Sequence, residues 1–159
     1  MLYLFMGLFG LLVVAADQLV KYFVVAKIPL HGEVPFINGL VHWTYTQNTG
    51  AAFSSFEGMT WLFVLVFALF TAGVIWEFSK KRWPFTTLER WCIVSVLAGG
   101  VGNMIDRLRL GYVVDMIEVE FIRFPVFNVA DCFITCGCIL LLVHLFLFNR
   151  EFWKDDKAK

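Results

Sequence analysis

Two aspartates, Asp115 and Asp131, are the residues on which catalytic chemistry can be built. Asp115 closely follows one long apolar stretch and Asp131 opens the next. Fifteen residues separate them, enough for a short excursion that returns the chain to the same rim. If the carboxyl groups approach in a poorly hydrated site, like-charge repulsion keeps one proton on the pair. One carboxylate can then draw a proton from water while the other acid polarises a scissile carbonyl. Such a pair titrates as a unit, so neither residue receives a fixed role from sequence. No Ser-His or Cys-His pairing is available at that depth, and no HExxH or phosphate loop occurs. The chemistry is that of an aspartic protease at a membrane surface.

Other polar residues accompany the pair. Asp17 and Lys21 are spaced i, i+4 in the first apolar stretch. Gly99, Asn103 and Arg107 share one face of the third, with Asp106 beside them, and Asn128 and Asp131 open the fourth. Asn48 and Gly50 sit in the first outer connector. At a rise of about 1.5 Å per residue, all lie within roughly 15 Å of one membrane face, while the opposite half is expected to be dry apart from Thr and Ser. Each has a plainer reading. Asp17–Lys21 is then a neutralising pair, Asn128-x-x-Asp131 an N-cap favoured by the helix dipole, and Gly99-Gly100-x-Gly102 small-residue helix packing. Likewise Asp106 and Arg107 pair as scaffold, and Glu118 and Glu120 form a solvated strand face. None of these accounts for the shared depth, since each intramembrane charge costs several kcal/mol.

The elements that must position these groups follow from composition. Of 159 residues, 60% are hydrophobic and 16% charged, against about 45–50% and about 25% in soluble domains. Eighteen Phe and six Trp cannot all hide in one small core surrounded by water. Four stretches suit a hydrocarbon layer that needs about 20 residues of helix: residues 4–26, 59–78, 89–110 and 129–148. They predict an all-α membrane protein, one four-span domain over residues 1–159, with outer connectors 27–58 and 111–127. Stretch two contributes packing only. A cleaved signal peptide is the rival reading of the first stretch, but no Lys or Arg precedes Lys21.

Basic residues set the orientation. Lys80, Lys81, Arg82 and Arg90 lie between stretches two and three, and Arg150, Lys154, Lys157 and Lys159 follow the fourth. Both termini are therefore expected in the cytoplasm, with the polar residues near the outer face. Alternation in Val41–Thr46 and again over Ile117–Phe121 predicts a small extracytoplasmic β-element, with Trp43 and Tyr45 at headgroup level. Cys92, Cys132, Cys136 and Cys138 read as buried thiols. His31, His42 and His144 are far apart in this topology, so no metal site is expected. Thirteen Lys/Arg balance thirteen Asp/Glu and are too scattered for a nucleic-acid stripe.

The chain resembles bacterial lipoprotein signal peptidase (signal peptidase II) over the whole four-span core. The motifs are Asp17-Gln18-x-x-Lys21, Asn48-x-Gly50-Ala51-Ala52-Phe53, Gly99-Gly100-x-Gly102-Asn103-x-x-Asp106-Arg107, Gly111-Tyr112-Val113-Val114-Asp115 and Phe127-Asn128-Val129-Ala130-Asp131. The resemblance implies an aspartic endopeptidase that cuts diacylglyceryl-modified prolipoproteins immediately before the lipidated cysteine. It implies Asp115 and Asp131 as catalytic pair, Asn48, Gly50, Asn103, Arg107 and Asn128 lining or bracing the site, and Asp17 and Lys21 supporting it. It further implies globomycin-type cyclic peptides as inhibitors, while nothing in these residues requires a cofactor and a monomer working among membrane lipid is expected. Met116 stands where the family usually has Phe, and Cys132 where Ser is common. Altered packing with intact chemistry is expected, and Cys132 is a candidate for thiol modification.

Two other classes compete. A proton-coupled transporter would distribute polar residues across the whole bilayer and show internal repeats, and none is seen between the two halves. A non-catalytic assembly subunit would need no carboxylate pair, so Asp→Asn substitutions at positions 115 and 131 separate it from an enzyme.

Overall fold

The computed structural model describes residues 1–50 and 58–154. Among the described residues, four helices and three strands follow in the order α1 (Leu2–Lys27), β1 (Glu33–Ile37), β2 (Val41–Asn48), α2 (Thr60–Lys80), α3 (Thr87–Leu110), β3 (Val113–Val119) and α4 (Val129–Leu147). Three of the helices, α1, α2 and α4, are long and apolar enough to cross a membrane. Their flanks are inverted relative to a water-soluble bundle, with Leu11, Leu12, Trp61, Leu69 and Leu147 all turned outward.

The expected third stretch is helical too, but it carries more charge than the other three. The reason is its place in the fold. α3 packs against α1, α2 and α4, so its polar residues Glu89, Ser95, Asn103 and Asp106 are buried against protein. Close approach to α4 depends on missing side chains. A Cβ at Gly99 would lie 2.5 Å from the Ala130 carbonyl oxygen, and one at Gly137 would lie 3.0 Å from the Cys92 carbonyl oxygen.

Two capping boxes start α3 and α4. Thr86 accepts from the Glu89 main-chain N–H and Glu89 accepts from that of Thr86, and Asn128 and Asp131 do the same at α4. At its far end α3 stops at Gly111, whose φ of +82° suits a residue without a side chain. The chain then turns directly into β3.

The strands form one antiparallel sheet in the order β1-β2-β3. The sheet is larger than the alternation predicts. β1 is an additional edge strand, β2 continues to Asn48, and β3 begins at Val113 and ends before Phe121. Tyr45, Val114 and Met116 pack with Val24 and Ile28 at the end of α1, and Trp43 joins them. Trp43 and Tyr45 therefore anchor the sheet to the end of α1. Met116 is fully enclosed in this cluster, so the expected change at that position is one of packing.

The four cysteines are free thiols. Reading them all as buried holds for Cys92 but fails for Cys136, which lies on the outward side of α4, with Cys132 and Cys138 partly covered.

Candidate active site

Asn128 is where the site begins, because its two side-chain ends do different work. Its Oδ1 accepts the Asp131 N–H at 2.9 Å, which is the helix cap read from sequence. Its Nδ2 is thereby free to point away from α4, and it donates to Asp115 Oδ1 at 2.7 Å and to Asn103 Oδ1 at 3.1 Å. The main-chain N–H of Asn128 donates to Asp131 Oδ2 at 3.1 Å. A single fully buried asparagine thus contacts both expected acids. The helix cap and the contacts with both acids coexist in this one residue.

Two further amides complete the frame. Asn103 Nδ2 donates to Asp131 Oδ1 at 2.8 Å, and Asn48 Nδ2 donates to Asp115 Oδ2 at 2.8 Å. Their orientations are chemically forced. Asn103 Oδ1 accepts from Lys21 Nζ at 3.0 Å, and an ammonium can only donate. Asn48 Oδ1 accepts from the Gly50 N–H at 2.9 Å. All four carboxylate oxygens of Asp115 and Asp131 consequently receive a hydrogen bond.

Lys21 anchors the layer beneath. Its Nζ lies 2.9 Å from both Asp17 Oδ2 and Asp106 Oδ2, with all three side chains nearly sealed. The intrahelical pair expected from the i, i+4 spacing is real, but it is one edge of a triad that joins α1 to α3. Asp17 Oδ1 also accepts the Ala130 N–H at 2.9 Å, and Asp106 Oδ2 that of Val114 at 3.1 Å. Gln18, the second residue of the first motif, bridges α1 and α3. It donates to Asp17, the Gly102 carbonyl and Asp106.

Arg107 does not pair with Asp106, correcting the scaffold reading. Lys21 already occupies that carboxylate. Arg107 donates to the Gly50 carbonyl at 2.8 Å, with its guanidinium 4.6 Å from the centre of the Phe63 ring. α2 therefore contributes one aromatic face beside the site, more than the packing role expected of it. Ala51, Ala52 and Phe53 of the second motif lie outside the described residues.

Burial raises the Asp115 carboxyl to about 6, and the neighbouring Asp131 adds to the rise, against the hydrogen bonds from Asn48 and Asn128. A proton retained near neutrality is what the paired-acid chemistry requires. Asp115 and Asn48 line a cavity of about 810 Å³ that also reaches His42, Glu118, Glu120 and Arg123. Glu118 and Glu120 are not merely a solvated face, since both bond to His42, at 3.0 and 3.2 Å.

The expectation of a dry opposite half also needs correction. Glu89 is fully buried there, accepting from the Thr86 N–H at 2.7 Å and from Asn149 Nδ2 at 2.8 Å, with His144 Nδ1 2.9 Å away. The Thr86-x-x-Glu89 spacing was the available signal for half of this cluster. Its partners His144 and Asn149 come from the far end of α4, which no local pattern reveals.

The chain is similar to known proteins over most of its length. The family model for signal peptidase (SPase) II matches residues 9–147. A lipoprotein signal peptidase of Streptococcus pyogenes serotype M1 is 42% identical over 147 residues, covering 92% of this chain and 91% of the relative. Another, from S. pyogenes serotype M5 (strain Manfredo), is 41% identical with the same coverage. A bacterial membrane enzyme solved by the in meso method at 2.3 Å resolution superposes with a TM-score of 0.83 at 27% identity, covering 97% of this chain and 94% of that one. A second, solved at 1.9 Å, gives 0.81 at 28%, covering 90% and 93%. The matched segment runs from within α1 through the end of α4, and this chain belongs to the signal peptidase II family, a family of aspartic peptidases.

Proposed function

We propose that this multi-pass membrane enzyme removes the signal peptide of prolipoproteins by paired-acid hydrolysis at Asp115 and Asp131, cutting immediately before the diacylglyceryl-modified cysteine. The observation that carries the assignment of the pair is the Asn128 bridge, which holds both carboxylates by one residue. A water between them loses a proton to the ionised carboxylate as its oxygen attacks the scissile carbonyl carbon. The protonated partner gives its proton to the carbonyl oxygen. Collapse of the resulting gem-diol breaks the C–N bond, the amine leaves with a proton from one acid, and the hydroxyl proton returns to the other. The pair ends as it began, sharing one proton.

The surrounding residues divide the work. Asn48, Asn103 and Asn128 aim the carboxylates and hold their oxygens apart. Lys21 offsets one of the two negative charges on Asp17 and Asp106, and the Ala130 and Val114 main-chain N–H groups help stabilise what remains. Arg107 braces the Gly50 turn that carries Asn48.

The membrane arrangement belongs to the same proposal. α3 is the fourth span of a single domain, both termini are cytoplasmic, and the sheet and the acids lie at the outer face. Basic residues in the α2–α3 connector and after α4 support that orientation. Substrate lipid adds about 0.8 kcal/mol per buried methylene, which pins the modified cysteine at the outer leaflet beside the acids. An apolar groove of about 600 Å³ over α3, lined by Leu69, Phe70 and Trp76 of α2 and by Cys138 and Leu141 of α4, suits a signal helix arriving sideways from lipid. Globomycin-type cyclic peptides would block the cavity that Asp115 and Asn48 line, and one chain carries every group the chemistry needs, so the enzyme works as a monomer.

The test is incubation of the purified, detergent-solubilised protein with a lipidated precursor and mapping of the new N-terminus. A product beginning at the modified cysteine is expected. No product from an authentic precursor, or cleavage elsewhere, overturns the assignment.

A further inference from the structure

The outward face of the sheet gathers one imidazole and three carboxylates from three strands. His42 on the central strand stands opposite Glu118 of β3. Glu33 approaches from β1, two positions along from Pro35, which pairs with His42. His42 Nε2 lies 3.0 Å from Glu118 Oε2 and 4.0 Å from Glu33 Oε2, and Nδ1 lies 3.2 Å from Glu120 Oε1. One donor atom each from Glu33, His42 and Glu118 fall within 4.8 Å of one another.

Both nitrogens of one ring thus face carboxylate oxygens. A neutral imidazole carries a single N–H. With that hydrogen on Nδ1 toward Glu120, the Nε2 lone pair faces two anionic oxygens, a repulsion relieved by a second ring proton or by a metal cation between them. We infer that Glu33, His42 Nε2 and Glu118 form a binding site for a first-row divalent metal ion such as Zn²⁺, with Glu120 orienting the ring through Nδ1. A carboxylate on the other ring nitrogen is the usual way a metal-binding histidine is fixed in tautomer and angle. Zn–N and Zn–O bonds of about 2.0–2.2 Å place tetrahedral ligand atoms about 3.3–3.6 Å apart. Reaching that spacing asks for rotation of Glu33, whose side chain is two-thirds exposed and free to move. Three protein ligands leave a fourth position for water.

The site has two structural consequences. It ties the edge strand β1, exposed along its whole length, to the two strands that carry Asn48 and Asp115. It also sits in the wall of the cavity that Asp115 lines, since His42 and Glu118 belong to both.

The test uses the full chain in detergent, freed of any affinity tag and stripped with chelator. Titration with Zn²⁺ by calorimetry, and with Co²⁺ by visible absorption, reads binding independently of cleavage. The expected result is one metal ion per chain, and a Co²⁺ spectrum without thiolate charge transfer. His42→Ala removes the uptake, Glu33→Gln and Glu120→Gln weaken it about ten-fold or more, and His31→Ala leaves it unchanged. Glu33 and Glu120 are exposed enough that their glutamine variants test the site even if His42→Ala misfolds. Absence of uptake at millimolar Zn²⁺ means that a proton alone occupies the cluster and overturns the inference. Uptake unchanged in the His42 and Glu33 variants, or carried by thiolate, overturns it as well.

Discussion

Asn128 Nδ2 lies 2.7 Å from Asp115 Oδ1, while the main chain of the same asparagine donates to Asp131. A helix-capping residue is therefore also the link between two acids from different elements. Asn128→Ala is expected to lower kcat about 10²-fold or more, by analogy with removing one oriented donor from a reaction centre. The cap itself costs only about 1 kcal/mol of stability. Steady-state cleavage of a lipidated precursor, set beside thermal unfolding in detergent, separates the two effects. Activity falling no further than stability would reduce Asn128 to a cap.

Asp115→Asn and Asp131→Asn are each expected to abolish turnover while leaving the protein folded and inserted. Asparagine keeps the shape and accepts one of the two hydrogen bonds that each carboxylate receives, with its NH2 facing a donor at the other position, but it neither takes up nor releases a proton. Gel-shift cleavage assays, with elution profile and circular dichroism as folding checks, decide this. Retained turnover in either variant removes that residue from the mechanism and strengthens the case for a non-catalytic role.

The Asp115 carboxyl, raised by burial to about 6, predicts a pH dependence of definite sign. A carboxyl held above its unfolded value of about 3.9 binds more protons in the folded state. Its contribution to stability is complete below about pH 4 and disappears as pH climbs to about 6. Cleavage that needs the shared proton should fall on the alkaline side of an apparent pKa near 6. Asn48 stabilises the charged form, so Asn48→Ala should move that limb to higher pH. A kcat/KM profile for both proteins is the measurement, and an unmoved or lowered limb refutes the link.

Lys21 sits between two sealed carboxylates. Lys21→Met leaves Asp17 and Asp106 uncompensated and is expected to destabilise by about 3–5 kcal/mol. Adding Asp106→Asn to that variant should recover part of the loss, since only one buried charge then remains. Unfolding midpoints of the single and double variants in one detergent test the coupling. Additive losses would show that the triad is not an electrostatic unit.

Gly99→Ala should impair folding more than Gly100→Ala. The new methyl at position 99 meets the Ala130 main-chain carbonyl at 2.5 Å, one residue from Asp131, and backbone cannot step aside. At position 100 it meets only the Phe67 ring of α2, which can turn toward lipid. Expression and thermal stability rank the two, and the reverse order would overturn this account of α3–α4 packing.

Much of the site was legible because its chemistry is costly. A charge in an apolar stretch needs a reason, and Asp17, Lys21, Asn103, Asp106, Arg107 and Asp131 stand out on that ground alone. Placement beside the apolar stretches then added Asn48, Gly50, Asn128 and Asp115, which the motifs also contain. What pairing each would choose was not legible. Asp106 and Arg107 are adjacent, yet a helix turns neighbouring side chains about 100° apart, and Lys21 from α1 takes the aspartate while Arg107 turns to Gly50. Glu89, His144 and Asn149 escaped for a similar reason, as three groups unremarkable in their own segments that become a cluster only where α3 meets α4.

Helix length, apolarity, caps and strand alternation are local properties, so the amino-acid order alone determined four helices, a small sheet, and which residues must share one depth. Contacts between residues far apart in the chain are not local. Tertiary packing decided that one asparagine would touch both acids and that β1 would bring Glu33 to His42. Only when the helices and strands are laid side by side do hydrogen-bond donors meet acceptors, because those bonds act over about 3 Å.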